Sequence, residues 1–313
     1  MTLDKFLALS QTSLELGLVN SLTVLSLFLS YSMLNVCDLS TDGCFTLGAA
    51  VGALAAIAGY PWLSLPLAML AGMASGFITA TLQTRMGVQS LLAGIVVNTG
   101  LYSVTMSLTN KKATLSMNKV PTVFTMAKDL LKDTPLAGYS TLLVMLAAVA
   151  LIVLFLCWFL KTKLGLAIRA TGSNTDMVRS SSINPTFTTT VGLCISNAFT
   201  GLSGCLMAQQ AKSFDINIGS GMLTVALASL LIGGVFFAKH RPIPLRAVGA
   251  VLGAFLFRLV YGLALRLDMP AYMLKLVSSV IVVIAISGPY LRKQLPLMVR
   301  RWRAGREGRR ADA

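Results

Sequence analysis

Apolar stretches of about 20 residues, the length a helix needs to cross ~30 Å of hydrocarbon, recur along almost the whole chain. Nine stand out: residues 13–34, 44–60, 62–82, 88–109, 139–160, 187–210, 221–238, 246–266 and 271–290. Only 12% of the 313 residues are charged and 55% are hydrophobic. Soluble domains carry roughly 25% charged residues, so too little polar surface exists to coat a water-soluble globule of this size. The expected fold class is all-α, a polytopic membrane protein with about nine transmembrane helices (roughly eight to ten, since some stretches can be split or re-entrant).

The formal net charge of +15 does not point to nucleic acid, because of where the charge lies. Residues 292–313 hold Arg292, Lys293, Arg300, Arg301, Arg303, Arg306, Arg309 and Arg310 against Glu307 and Asp312. A basic tail after the last span fits a cytoplasmic end held near anionic membrane lipid. Residues 1–291 therefore read as a transmembrane domain and 292–313 as a cytoplasmic tail. Loop 161–179 carries Lys161, Lys163, Arg169 and Arg179, and loop 239–246 carries Lys239, Arg241 and Arg246. These loops, Arg85 and the tail all belong inside by the positive-inside rule, and nine spans satisfy the four assignments with the N-terminus outside. Loop 110–138 then lies outside despite Lys111, Lys112, Lys119, Lys128 and Lys132, which Asp129 and Asp133 partly offset. No cleavable signal peptide is expected, since few positive charges precede the first apolar run.

Catalytic and metal chemistry lack their residues. His240 is the single histidine, and Cys37, Cys44, Cys157, Cys194 and Cys205 form no CxxC pair, so zinc and Cys–His chemistry have no ligand set. The cysteines read as small packing residues. No GxxxxGK[ST] loop is present, so any ATP must bind another polypeptide.

Two segments interrupt the apolar pattern in related ways. One runs from Asp38 through Ser40, Thr41, Asp42 and Gly43 to Ala50; the other runs from Asp215 through Asn217, Gly219, Ser220 and Gly221 to Ser229. Each puts acids, hydroxyls and glycine before a helix of small residues, the first toward the cytoplasm and the second toward the outside. Such a pair suits an inverted repeat with discontinuous helices whose N-terminal N–H groups face a cavity; ordinary loop and cap chemistry is the other reading. Asn98, and Asn197 with Ser196, are polar groups inside spans that either line a path or bond between helices. Arg258 and Lys275 are read as structural, with Asp268 the nearest acid. Gly52, Gly72, Gly76, Gly249 and Gly253 allow close helix approach.

Loop 161–185 is too polar to span, and a short amphipathic helix here offers a surface to a soluble partner. Its sequence Lys163-Leu-Gly165-Leu-Ala-Ile-Arg169-Ala-Thr171-Gly172-Ser-Asn174, followed by Met177 and Ile183-Asn184-Pro185, resembles the coupling loop of ABC importer permeases. The group it resembles is the branched-chain amino acid and ribose permease superfamily. The resemblance extends in order through Asp38–Ala50, Leu91–Ser103, Asp215–Gly219, Leu227–Gly233 and Leu263–Leu276. It points to a subgroup linked to uptake of amino acids such as tryptophan and tyrosine. In one departure, Gly234 stands where that subgroup often has an acid.

The resemblance implies an ATP-driven importer in a bacterial cytoplasmic membrane, and no enzyme activity in this chain. Two permease chains, expected to be identical, form the pore. A separate ABC ATPase carries the ATP and magnesium and grips the 161–185 loop, and an extracytoplasmic solute-binding protein delivers the solute. Gly165, Arg169, Thr171, Gly172, Asn174 and Met177 are expected to couple to the ATPase. Asp38, Asp42, Asn98, Asn197 and Asp215 are expected along the solute path. An ion-coupled secondary transporter using Asp38, Asp42 or Asp215 is the alternative, and a non-transport scaffold the third reading.

Overall fold

A computed structural model describes residues 3–130, 132, 139–236 and 242–266, with short pieces at 273, 276, 279–283 and 287. Most of the expected span 271–290 and all of the tail 292–313, with Asp268 and Lys275, lie outside the described residues. Of the other eight expected spans, six coincide with helices long enough to cross a membrane, while 44–60 and 221–238 fall on the shorter α2 and α10. The first helices are α1 (Leu3–Leu27, continued by a π-helical segment at Phe28–Met33), α2 (Thr41–Ile57), α3 (Pro61–Thr84) and α4 (Ser90–Leu108). After a short strand, β1 (Thr114–Ser116), come α5 (Val123–Leu130), α6 (Ser140–Phe159), α7 (Lys163–Ser173) and α8 (Thr175–Ser180). The order closes with α9 (Pro185–Ala211), strand β2 (Ser213–Asp215), α10 (Met222–Phe236) and α11 (Ile243–Arg266).

The helix boundaries follow from local chemistry. Pro61 and Pro185 occupy first turns, where a missing N–H costs nothing. Asn184 is extended and its Oδ1 accepts from Thr186 N at 2.9 Å, an N-cap that starts α9 cleanly. Among the described residues six helices are long and apolar enough to cross a membrane. Helices α2 and α10, of 17 and 15 residues, are apolar but short of a full crossing.

Helix α9 is the central element of one half. It runs antiparallel to α1, with Ser26 bonding Ser196 at 2.8 Å and Ser203 donating to Val19 O at 2.7 Å. The α2–α3 hairpin packs on α9 through small residues. A Cβ on Gly48 would strike the Gly201 backbone, one on Gly204 the Phe45 carbonyl, one on Gly72 the Asn197 carbonyl, and one on Gly76 the Leu193 carbonyl. Helix α1 holds the other hairpin, α10–α11: Gly17 lies against Phe255, and Gly233 and Gly253 let α10 and α11 touch backbone to backbone. Each half's long helix thus holds the other half's hairpin.

The second half runs opposite to the first. Helix α2 is parallel to α9, since Cys44 donates to Asn197 O and Gly52 faces Cys205, while α10, through α11, is parallel to α1. The small residues read from sequence as packing do pack. Hydrogen bonds between membrane helices average about 0.6 kcal/mol, so close van der Waals approach over these glycines contributes more than the serine and threonine bonds.

Arg85, α7–α8 and Arg246 share one end of the bundle. The opposite end carries β1–β2, paired antiparallel with Thr114 against Asp215, and α5. Gln209, fully buried, ties that end together: its Nε2 donates to Ser64 Oγ at 2.6 Å and its Oε1 accepts from Val123 N at 2.9 Å. Gly48→Val is expected to lower the melting temperature of the detergent-solubilised chain, because forced overpacking costs about 1–3 kcal/mol. Gly100→Ala, whose Cβ would meet nothing within 4 Å, should leave it unchanged or raise it slightly.

Candidate functional site

The two interrupted segments found in the sequence meet in space. Asp42, in the first turn of α2, accepts from Gly221 N through Oδ2 at 2.9 Å and from Leu223 N through Oδ1 at 2.7 Å. It therefore caps the start of α10, and the N-termini of two antiparallel half-helices face one another. Gly221 turns into α10 with φ +84°, a left-handed conformation that glycine adopts without strain. Gly219 lies so close to Asp42 O and Thr46 Oγ1 that a Cβ there would collide with both.

A cavity of about 170 Å³ opens beside this junction, lined by Asp42, Gly43, Thr46, Asn98, Tyr102, Asn217, Gly219 and Ser220, among others. Each helix N-terminus carries roughly half a positive charge, so the Asp42 carboxylate offsets the pair. The side chains left facing the cavity are mainly oxygen acceptors, amides and hydroxyls. On α4, exposed Thr99 and Ser103 share the outer face with exposed Leu92, Ile95 and Val96, and Thr99 Oγ1 donates to Ile95 O at 2.9 Å.

The five expected path residues part company here. Asp42 and Asn98 line the cavity. Asp38 and Asn197 are both about 1% exposed and spend their polar groups on each other, Asn197 Nδ2 donating to Asp38 Oδ2 at 2.7 Å. Asp38 Oδ1 also accepts from Ser40 N at 2.8 Å, which shapes the turn into α2. Asp215 sits in β2, exposed, with its Oδ1 accepting from Asn217 N at 2.7 Å; it supports the loop whose Asn217 and Ser220 reach the cavity. Asn217 and Ser220 stand in the second interrupted segment of the sequence but, like Tyr102 and Thr46, were not among the expected path residues. Arg258, expected to act structurally, stands over the Tyr261 ring at 5.4 Å, beside the Asn20 amide, whose oxygen accepts from the guanidinium once the amide is turned to face it.

The polar loop at the other end folds into two helices instead of one. Thr162 caps α7, and Asn174, with Oδ1 accepting from Asp176 N and Met177 N at 3.1 Å each, caps α8. Gly165, Thr171 and Gly172 turn inward. Gly165 lies on Phe159 and Leu160, and Gly172 on Met33 and Leu34 at the end of α1. Thr171 Oγ1 meets Thr188 Oγ1 of α9 at 2.8 Å. Met177, 67% exposed, faces outward with Leu166, Asp176 and Arg179. Leu166 was missed because one apolar residue on a short helix carries no sequence signal.

Residues 11–286 match the family described as the permease component of branched-chain amino acid transport systems. The chain belongs to this family. The permease is similar to a tyrosine transport system permease protein of Clostridioides difficile, 31% identical over 268 residues that cover 85% of this chain and 86% of that one. It is also similar to the guanosine ABC transporter permease protein NupQ of Bacillus subtilis, 30% identical over 246 residues, 76% of this chain and 72% of that one. An autoinducer 2 import system permease protein, LsrC of Yersinia pestis, matches at 25% over 213 residues, 66% of this chain and 55% of its own. No solved structure matches the chain. The permease is thus the multi-pass membrane subunit of a transport system, not an enzyme. Asn197→Leu is expected to lower its melting temperature, since it strips a partner from buried Asp38 at a cost of about 1–3 kcal/mol. Asn98→Ala should leave melting unchanged, and thermal unfolding in detergent separates the two roles.

Proposed function

We propose that the permease is the pore-forming subunit of an ATP-driven importer that carries a small polar solute, an amino acid, from an extracytoplasmic binding protein into the cytoplasm. The observation that carries this reading is the acceptor-lined cavity at the Asp42 junction, buried between two half-helices of opposite direction. Oxygen acceptors around one carboxylate suit an ammonium group, and the amide and hydroxyl donors of Asn98, Asn217 and Ser220 suit an accompanying oxygen. The similarity to a tyrosine transport permease supports an amino acid.

In this reading α7 and α8 lie in the cytoplasm, with residues 161–185 as the segment the ATPase grips. Exposed Leu166 and Met177 form its apolar contact. Gly165, Thr171 and Gly172 transmit rather than touch: Gly172 presses on the end of α1 and Thr171 on α9. Those two long helices each hold one half-helix hairpin, so a pull on α7–α8 reaches both sides of the junction. The β1–β2 and α5 end faces the binding protein. A second copy of the chain covers the exposed, largely apolar face of α4 and completes the path, while ATP and magnesium stay on the partner.

Vesicle uptake tests this directly. With ATP supplied and ion gradients collapsed, uptake of L-tyrosine is expected to persist; its loss would favour the ion-coupled alternative. Uptake of guanosine without any amino acid would overturn the substrate assignment. Leu166→Asp with Met177→Asp is expected to abolish co-purification of the ATPase and to cut uptake by more than about tenfold, the effect of burying an unpaired charge in an apolar contact. Membrane abundance should be unchanged.

A further inference from the structure

A larger cavity, of about 550 Å³, opens on the α7–α8 side between the end of α1 and the α10–α11 hairpin. Phe28, Tyr31, Ser32, Leu230, Gly234 and Arg246 line it. Arg246 stands in the first turn of α11, with its Nη2 donating to Ser32 Oγ at 2.7 Å and its guanidinium carbon 5.4 Å from the centre of the Phe28 ring. That hydrogen bond uses one of five guanidinium donors. Among the described residues no carboxylate lies within 4.0 Å of Arg246, and Arg169 of α7 adds to the positive field around it. Half-buried at that end of the bundle, the guanidinium keeps donors free for an anionic group that enters the cavity.

The rest of the cavity is shaped for an apolar group. Leu230 supplies apolar wall beside Phe28, which is itself only 2% exposed, and Tyr31 supplies a ring that is 42% exposed. Gly234 leaves room: a Cβ there would meet nothing within 4 Å.

We propose that this cavity is a release-side binding site for an α-amino acid with an aromatic or large apolar side chain. The Arg246 guanidinium takes the carboxylate, and the Tyr31 and Leu230 wall takes the side chain. This rests on the amino-acid reading above and deepens it. One cavity is built around a carboxylate, Asp42, and the other around a guanidinium, Arg246. A zwitterion is held first by its ammonium end and then by its carboxylate, so each site binds half of the molecule and neither traps it. A guanidinium–carboxylate pair is charge-assisted and bidentate, so its loss is expected to weaken binding by about tenfold or more.

The test uses the full chain with its ATPase in nanodiscs, without nucleotide, and measures equilibrium binding of labelled L-tyrosine beside ATP-driven uptake. Arg246→Gln is expected to weaken tyrosine binding at least about tenfold. Gly234→Leu, which fills the cavity with no backbone clash and favours helix, should do the same with unchanged melting temperature. Tyramine, which has the ring and ammonium but no carboxylate, should bind wild type and Arg246→Gln alike. Transport of tyrosine with wild-type binding in both variants would overturn this site while leaving the importer reading intact. Failure of the wild-type complex to transport or bind any amino acid would overturn both. Phosphatidylglycerol retained by wild type, released by Arg246→Gln and indifferent to tyrosine, would assign the cavity to lipid and overturn the proposal.

Discussion

Two helix N-termini that face each other inside a membrane repel, and one carboxylate makes their meeting stable. Each terminus carries roughly half a positive charge and several unsatisfied N–H groups. Asp42 stands in the first turn of α2 and accepts from Gly221 N and Leu223 N at the start of α10. It serves its own helix by position and the other by hydrogen bonding. Helix capping is worth about 0.5–2 kcal/mol in water, and without water to compete the unsatisfied alternative is costlier. Both half-helices can therefore stop short of a full crossing, which leaves room for a polar cavity in an otherwise apolar slab.

The long helices hold this junction in place from opposite sides. Helix α9 grips α2 and α3 through Gly48, Gly72, Gly76 and Gly204, and α1 grips α10 and α11. Because each long helix is bonded to the other, through Ser26, Ser196 and Thr200, neither half-helix moves alone. Helix α7 rests on the ends of both long helices, through Gly172 and Thr171. The permease thus has a surface pair of short helices, α7 and α8, resting on the ends of the two long helices that frame its cavity.

Much of this was legible in the sequence. Apolar length placed six spans, and acids, hydroxyls and glycines ahead of short small-residue runs marked where the half-length α2 and α10 begin. Pairing was not legible, because Asp42 and Gly221 lie 179 positions apart and no local pattern says that one caps the other. Asp38 and Asn197 looked like path residues on the same polarity argument as Asp42 and Asn98; only the fold distinguishes a closed polar pair from an open lining. In the loop after α6, polarity announced a surface, but which residues face out depends on where Asn174 divides it. Gln209, β1, β2 and α5 left no signal, since a buried amide and three-residue strands resemble ordinary loop chemistry.

The central claim is that water reaches the middle of the bundle at the Asp42 junction, and the reactivity of a cysteine placed at Asn98 tests it most directly. Asn98 lies near the midpoint of α4, where a side chain packed in protein or lipid is shielded from hydrophilic thiol reagents. In a background with Cys37, Cys44, Cys157, Cys194 and Cys205 replaced by serine or alanine, Asn98→Cys is expected to react with a small charged methanethiosulfonate, and more slowly with saturating solute present. An Asn98→Cys chain as unreactive as one retaining only buried Cys44 would contradict the account.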